Sequence, residues 1–426
     1  MLSYMGLNTE RAQRLRQPLV PDRRDKGHSA VFRRVDLMAA LGAHREKAVR
    51  RLTEIDLCTE DNITSQIWSP KGGGSKVIFL AGRNSREPNA DGGTRMVNST
   101  DIQEAKRTLK RLVSMMVVKR IMLGSLAEGY TGGKAMIMGD PQTEKTDEVL
   151  KAFGEFLLTI DKLTTGTDLN MTERDMRVVK TTASERIVGL SDEVANMGSA
   201  EETTARGVVF AIKNVLELRG NRRGFDGIKI AIQGIGNVGY PLAKKLVDLG
   251  ASVYAYDIDP EKRKMARETI QGTHENPIVI IDNEEELYKI EKLDVLSPNA
   301  GDGTIDIQKL SKGQKGKRGG LILLGAANSP LARFSEPEIQ YEVNSRLMER
   351  GWEYVPDFIV NLGGLLHAIQ IQKGTTSREK MYAELERIIK SRLNQAREAS
   401  LSRKVSLLDA AESIAMGEIM SDGWDL

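Results

Sequence analysis

The spacing of hydrophobic positions changes once along this chain, near residue 204. Before that point the pattern is mixed. Apolar residues at Leu37, Ala40, Leu41, Ala48 and Leu52 predict an amphipathic helix over Leu37 to Leu52. Gly72-Gly73-Gly74-Ser75 reads as a turn or hinge, and Lys76 to Ala81 as a short strand. Ile102, Ala105, Leu109, Leu112, Val113, Met116 and Val117 keep a helical period, which predicts a long helix opening at Thr100 through a capping box with Gln103. Residues 122–141 are rich in glycine, end in Gly139-Asp140-Pro141, and read as loop, strand and turn.

From residue 204 onward, helices and buried strands alternate. Helix 204–218 leads to strand 228–232, a glycine loop, helix 238–249 and strand 252–256. Residues 277–281, 294–296, 321–324 and 358–360 read as later strands, and 377–420 as helix with one charged face. Such alternation predicts an α/β protein with a parallel sheet wrapped by helices.

The glycine loop carries the first chemistry. In Gly234-Ile235-Gly236-Asn237-Val238-Gly239 the first glycine allows a tight turn, the second admits a pyrophosphate close to the backbone, and the third lets helix and strand touch. The helix that follows offers free N–H groups to the phosphates. Asp257 closes the next strand, 23 positions after Gly234, where a carboxylate accepts hydrogen bonds from ribose hydroxyls. That acid repels a 2′-phosphate and favours NAD over NADP; Arg263 and Lys264 soften the preference, so NADP is not excluded. The bland reading of these residues is a glycine turn in an unrelated α/β domain.

Composition narrows the partners. The 426 residues suffice for two or three domains, and Lys+Arg of 62 against Asp+Glu of 59 leaves a net charge of +3. So balanced a chain argues against nucleic acid and against an anionic membrane surface. The single cysteine, Cys58, cannot form an intrachain disulfide, and with four scattered histidines it excludes a structural Cys/His metal cluster. A reducing, cytoplasmic setting is expected. No apolar run approaches the ~18–20 residues of a membrane span. Residues 1–55 hold ten Arg and two Lys against six acids, a local +6. The interspersed acids argue against a transit peptide, and the lack of interleaved aromatics argues against an RNA-binding arm.

Several blocks occur in the order of one family. They are Gly92-Gly93-Thr94-Arg95-Met96, Gly132-Gly133-Lys134, Gly139-Asp140-Pro141, Asp168 and Thr204-Ala205-Arg206-Gly207-Val208. The glycine loop, Gly325-Ala326-Ala327-Asn328, Pro356-Asp357 and Asn361-Leu362-Gly363-Gly364 complete the set. In these blocks the sequence resembles the glutamate/leucine/phenylalanine/valine dehydrogenases, which interconvert amino acids and 2-oxo acids. The resemblance implies a two-domain α/β enzyme. An N-terminal substrate and oligomerisation domain, 71–195 completed by helices of 381–426, would face a Rossmann-type domain, 196–380. A basic extension, 1–70, would add to the interface of a homo-oligomer. The implied partners are a small amino acid or 2-oxo acid and ammonia, with no resident metal.

The resemblance also implies roles. Lys134 matches the catalytic lysine and Asp168 the aspartate that passes protons to and from nitrogen. Lys119 matches the lysine that pairs with the substrate carboxylate. Its interval to Lys134, 15 positions, is longer than usual, so Arg120 is an alternative cation. Thr204, Asn328 and Asn361 match residues around the nicotinamide. Outside such ordered blocks a lone lysine is a solvated charge, and a lone aspartate or asparagine is a turn residue.

Substrate choice is read at the residue before Gly92-Gly93, here Asp91, with Gly93 beside it. Leu365 and Ala368, one helical turn apart, are expected to face the substrate side chain, with Gly166 leaving room. An acid there suits a basic or hydrogen-bond-donating side chain. The alternatives are that Asp91 pairs with Arg95, Arg86 or Lys134 and leaves an apolar pocket for a leucine-like substrate, that a glutamate-type substrate is used, or that the chain is a non-catalytic NAD-binding homologue.

Overall fold

The computed structural model describes residues 51, 57–70, 75–190, 196–270, 272, 278–313, 320–334 and 336–421. The amphipathic helix expected at 37–52, the glycine hinge and most of the basic extension lie outside the described residues, except Arg51 and the segment from Leu57.

The first half builds β1 (Ile63–Trp68), β2 (Val77–Arg83), β3 (Asn89–Val97), α1 (Ile102–Leu123), β4 (Tyr130–Met138), α2 (Asp147–Leu158), β5 (Leu163–Thr167) and α3 (Glu173–Lys180). The strands form one sheet in the order β1-β2-β4-β3-β5. β2 runs antiparallel to β1 and β4, while β3 runs parallel to β4 and β5. Every residue of β4 is buried, as expected of a central strand covered on both faces. On one face Met136 and Met138 pack with Leu109 and Leu112 of α1. On the other, Ala135 and Ile137 pack with Phe153 and Phe156 of α2. α1 starts one residue later than its expected cap. Asp101, not Thr100, accepts from the N–H groups of Gln103 and Glu104, and its charge also suits the positive end of the helix.

The second half begins with α4 (Ala200–Leu218), followed by β6 (Lys229–Gln233), α5 (Gly239–Asp248), β7 (Ser252–Tyr256), α6 (Pro260–Thr269), β8 (Ile278–Ile280), α7 (Glu284–Tyr288), β9 (Val295–Pro298), α8 (Ile307–Gly313), β10 (Ile322–Leu323), α9 (Ile339–Glu349) and β11 (Glu353–Tyr354). The strands make the expected parallel sheet, in the order β11-β10-β9-β6-β7-β8. α10 (Asp357–Val360), α11 (Gly363–Gln372), α12 (Arg378–Arg403) and α13 (Leu407–Ser421) complete the chain. Phe358–Val360 is therefore helix rather than the strand its apolar run predicts. A short, wholly buried run carries no periodicity to separate the two states, and the strand falls before Pro356 instead. α12 is tied back to α1 by Arg392, which donates to the carbonyls of Met122 and Ile121. Among the described residues no helix is long and apolar enough to cross a membrane.

Candidate active site

Strand alternation gathers the first half of the site. Successive side chains of a strand point to opposite faces, so Asp91, Gly93 and Arg95 of β3 share one face, away from Ala90 and Met96 in the core. Lys134 of β4 stands on the α1 face with Met136. The register pairs Asp91 with Thr164 and Gly93 with Gly166 on β5, and Asp168 follows β5 directly. Asp91, Gly93, Arg95, Lys134, Gly166 and Asp168 line a cleft of about 710 Å³, and the Thr164 hydroxyl turns to Asp91.

α1 reaches the cleft because β4 carries glycine where the two meet. A Cβ at Gly132 would lie 2.5 Å from the Val117 nitrogen and 2.6 Å from the Val113 carbonyl oxygen. This close approach brings Lys119, one half-turn beyond Val117, into the cleft beside Lys134. Lys119 Nζ donates to Asn328 Oδ1 at 2.7 Å, bridging the two halves of the chain. Arg120 points elsewhere: it donates to the Tyr130 carbonyl and pairs with Glu87. Lys119 is therefore the lysine at the cleft, and the longer interval before Lys134 is absorbed by the end of α1 and the 3-10 turn Gly124–Ala127.

Lys134 is only 4% exposed, and its Nζ lies 2.7 Å from Asp168 Oδ2. The same oxygen accepts from Arg95 Nε at 3.1 Å, and the Arg95 guanidinium lies over the Phe334 ring. Burial drives the Lys134 ammonium below its ordinary pKa; Asp168 pulls it back up and Arg95 pushes it further down. Burial alone would raise the Asp168 carboxyl, yet Arg95 and Lys134 hold it well below the usual carboxylate range. Burial lowers Lys119 to about 8, opposed by the charge of Asp357, a buried carboxylate that accepts from Tyr354 Oη at 2.7 Å.

The opposite wall is the glycine loop. Gly234 has φ of +96°, a conformation L side chains avoid, and a Cβ on Gly239 would fall 1.9 Å from the Gly234 carbonyl oxygen. Gly236 by contrast is open, with Lys262 Nζ the nearest atom at 4.0 Å from a Cβ placed there. Gly234, Gly236, Asn237 and Val238 line the cleft, while Gly239 sits behind them as the point where loop and helix touch. Val238, the N-cap of α5, offers no side-chain cap, so the first N–H groups of α5 take no side-chain cap from it. These residues fit a dinucleotide: an open backbone cradle, helix N–H groups, and Asp257 at the end of β7. Asp257 Oδ2 accepts from Ile235 N at 2.7 Å and Oδ1 from Asp259 N at 3.0 Å, so the acid also pins the loop. Arg263 donates to the Asp257 and Ile258 carbonyls and pairs with Asp282.

Thr204 donates its proton to the Ala200 carbonyl at 2.8 Å, which leaves its oxygen as an acceptor for an amide N–H. Asn361 Nδ2 donates to Ala326 O and to Asn328 Oδ1, and its buried Oδ1 has no partner. Leu365 and Ala368 line the cleft on α11 as expected. Among the described residues Asp91 makes no ion pair with Arg95, Arg86 or Lys134, and Arg95 and Lys134 both serve Asp168. Asp91 Oδ1 accepts from Gln372 Nε2 at 2.7 Å and from the Thr164 hydroxyl, while its Oδ2 is buried without a partner.

Four contributors escape sequence reasoning. Arg95 stood in a quoted block without a role at Asp168. Gln372 continues the Leu365–Ala368 stripe by one turn, a signal that helical spacing held. Asp357, like Arg95, lies in a quoted block with no role assigned to it, and Glu201, which accepts from the Thr167 hydroxyl, carries no local signal at all.

Two lobes across a cleft, one presenting a glycine phosphate cradle and the other a buried lysine–aspartate pair with a second lysine, define a dinucleotide-binding oxidoreductase. Comparison with known sequences makes the class specific. The family profile "Glutamate/Leucine/Phenylalanine/Valine dehydrogenase" matches residues 197–422, and "Glu/Leu/Phe/Val dehydrogenase, dimerisation domain" matches 80–185. The chain belongs to this family, whose named relatives are amino-acid dehydrogenases, oxidoreductases acting on CH–NH2 donors.

Similar relatives include a phenylalanine dehydrogenase of Bacillus thermotolerans, 29% identical over 78% of this chain and 82% of the relative. An L-tryptophan dehydrogenase of Nostoc punctiforme is 29% identical over 78% and 86%. A phenylalanine dehydrogenase of Caldalkalibacillus thermarum is 32% identical over 69% and 74%. Among solved structures, the Nostoc punctiforme L-tryptophan dehydrogenase superposes with a TM-score of 0.60 at 24% identity, covering 85% of this chain and 96% of that one. The hetero-hexameric glutamate dehydrogenase of Thermus thermophilus superposes with 0.66 at 17% identity, covering 92% and 96%. At these identities the superpositions establish the fold.

Proposed function

We propose that this chain oxidatively deaminates an L-amino acid to its 2-oxo acid, and runs the reverse reductive amination, with Lys134 as general base and Asp168 in proton transfer. The observation that carries this reading is the buried Lys134–Asp168 pair at 2.7 Å in the same cleft as the glycine loop. Lys119 holds the substrate carboxylate through a charge-assisted hydrogen bond. Lys134, its positive charge disfavoured by burial, takes the proton of the water that adds to the substrate imine. Asp168, kept ionised by Arg95, orients the nitrogen and relays to it the proton that Lys134 has taken from the water, so that the nitrogen leaves as ammonia. The nicotinamide, when bound, supplies hydride acceptance and return. Thr204, Asn328 and Asn361 would hold its ring end, and Gly234, Gly236, Asn237, Val238 and Asp257 its phosphates and ribose.

The working division is a substrate lobe, 71–195 completed by 381–426 and extended back to Ile63 because β1 pairs with β2, against a dinucleotide lobe, 196–380. NAD is the favoured cofactor, because Asp257 is an acid and Arg263 is engaged by Asp282 and by backbone carbonyls. Lys262, which lines the cleft, is the observation that favours NADP instead. Assembly into a homo-oligomer is supported by the match to the dimerisation-domain profile and by β1, an edge strand with Ile67 exposed. A cytoplasmic setting accords with the chain's single cysteine, Cys58, which is buried.

The test is Lys134→Ala assayed with a panel of L-amino acids and both cofactors. Turnover should fall by ~10²–10⁴-fold while NADH binding, followed by nucleotide fluorescence, persists. Retained turnover removes Lys134 from the chemistry.

A further inference from the structure

The far end of the substrate cleft holds a carboxylate with no counter-charge among the described residues. Asp91 is 1% exposed and makes no ion pair among the described residues. Gln372 Nε2, at 2.7 Å, and the Thr164 hydroxyl both donate to Oδ1 and so fix the carboxylate's rotation. Gln372 is itself steadied on Thr164 Oγ1 and the Ala368 carbonyl, each at 3.3 Å. Oδ2 is left buried with no donor among the described residues. The lining of the cleft includes the uncharged Met116, Val188, Leu365 and Ala368, and the influences on the Asp91 carboxyl are burial and the Gln372 hydrogen bond, with no cation among them. Arg95, four positions further along β3, and Lys134, on the neighbouring strand β4, are both committed to Asp168.

Burying a carboxylate without a counter-charge costs several kcal/mol, and the protein bears this cost while supplying two donors that hold the group in one orientation. Burial accordingly pushes Asp91 up to about 7, against the pull of the Gln372 hydrogen bond. A substrate side chain ending in an ammonium or guanidinium would supply both the missing donor and the missing charge. A terminal carboxylate would meet a like charge, and a purely apolar chain would leave Oδ2 unpaired.

Resting on the dehydrogenase reading of this cleft, we propose that Asp91 recognises a positively charged side-chain terminus, so that the amino acid turned over belongs to the lysine, ornithine and arginine class. Thr164 and Gln372 act as positioning residues for that contact.

The test compares L-lysine, L-ornithine and L-arginine with L-norleucine, L-leucine, L-phenylalanine and L-glutamate on the wild-type enzyme, with NAD and NADP in parallel. The expected result is a kcat/KM for at least one cationic substrate on the order of 10²-fold or more above that for norleucine. Asp91→Asn and Asp91→Leu should lower that ratio by a similar factor, with Asp91→Leu reversing the preference. Should either variant fail to fold, the wild-type ratio decides alone. Turnover of norleucine, leucine or phenylalanine in preference to every cationic substrate overturns the inference and leaves the dehydrogenase intact. Failure to oxidise any amino acid, or to aminate the matching 2-oxo acids, overturns both.

Discussion

Asp168 presents one oxygen to two cations: Oδ2 lies 2.7 Å from Lys134 Nζ and 3.1 Å from Arg95 Nε. The carboxylate therefore stays ionised across the working range, and the lysine is the member whose charge is easily lost. Arg95 acts on both partners at once, because its fixed positive charge favours the aspartate anion and disfavours the lysine cation. The position of the pH profile follows from this triangle.

Arg95→Leu should move the rising limb of the kcat profile to higher pH. Activity needs neutral Lys134, whose population grows as pH rises through its pKa; removing a neighbouring positive charge raises that pKa, so more alkaline conditions are required. At pH 7 to 8 the loss should be roughly tenfold for each unit of displacement. Arg95→Lys should restore much of the limb's position. An unmoved limb with a lowered plateau would show that Arg95 only supports the fold.

Lys119 governs the opposite limb. It binds the substrate carboxylate as a cation, and burial places its own loss of charge near pH 8. The kcat/KM of the free enzyme should therefore decline as pH rises past about 8. Lys119→Arg, which keeps its charge, should push this decline upward. Lys119→Met should raise KM by ~10–100-fold at pH 7, the scale of a lost hydrogen bond to a charged group. Amino-acid saturation curves across pH 6 to 10 check both outcomes.

Cofactor choice turns on Asp257. Asp257→Ser removes the negative charge beside the ribose site and should raise the NADP-to-NAD ratio of kcat/KM about tenfold or more. Ile235 N and Asp259 N lose a carboxylate partner in the same variant, so Tm should fall as well. A lower Tm with an unchanged cofactor ratio would show that Asp257 serves only to pin the loop.

The local features were legible in the residue order. The helical period of Ile102 to Val117 became α1, and the alternation from residue 204 became a parallel sheet with Gly234–Gly239 at the mouth of β6. What misled was local ambiguity. Thr100 and Asp101 are both good caps, and only the path of the chain selects Asp101. The apolar run Phe358–Val360 suits a buried strand or a buried helix equally well. β3 and β5 carry no hydrophobic alternation that would announce a strand: Asn89–Val97 is interrupted by Asn, Asp and two Gly, and Leu163–Thr167 holds a single apolar residue among Thr and Gly. Their strand state comes from pairing with β4 and with each other rather than from their own preferences.

Residue order alone determined the glycine cradle and the α/β alternation, since turns, helical faces and motif spacing are properties of neighbouring residues, whereas Lys134 and Asp168 were marked only by the family resemblance of their blocks. Which charges meet was decided only by the fold. Asp91 and Gln372 lie 281 positions apart yet share a hydrogen bond, and Arg95 reaches Asp168 across two strands. Ion pairs and hydrogen bonds act over about 3 Å, a distance that only the packing of β3, β4, β5 and α11 around one cleft could set.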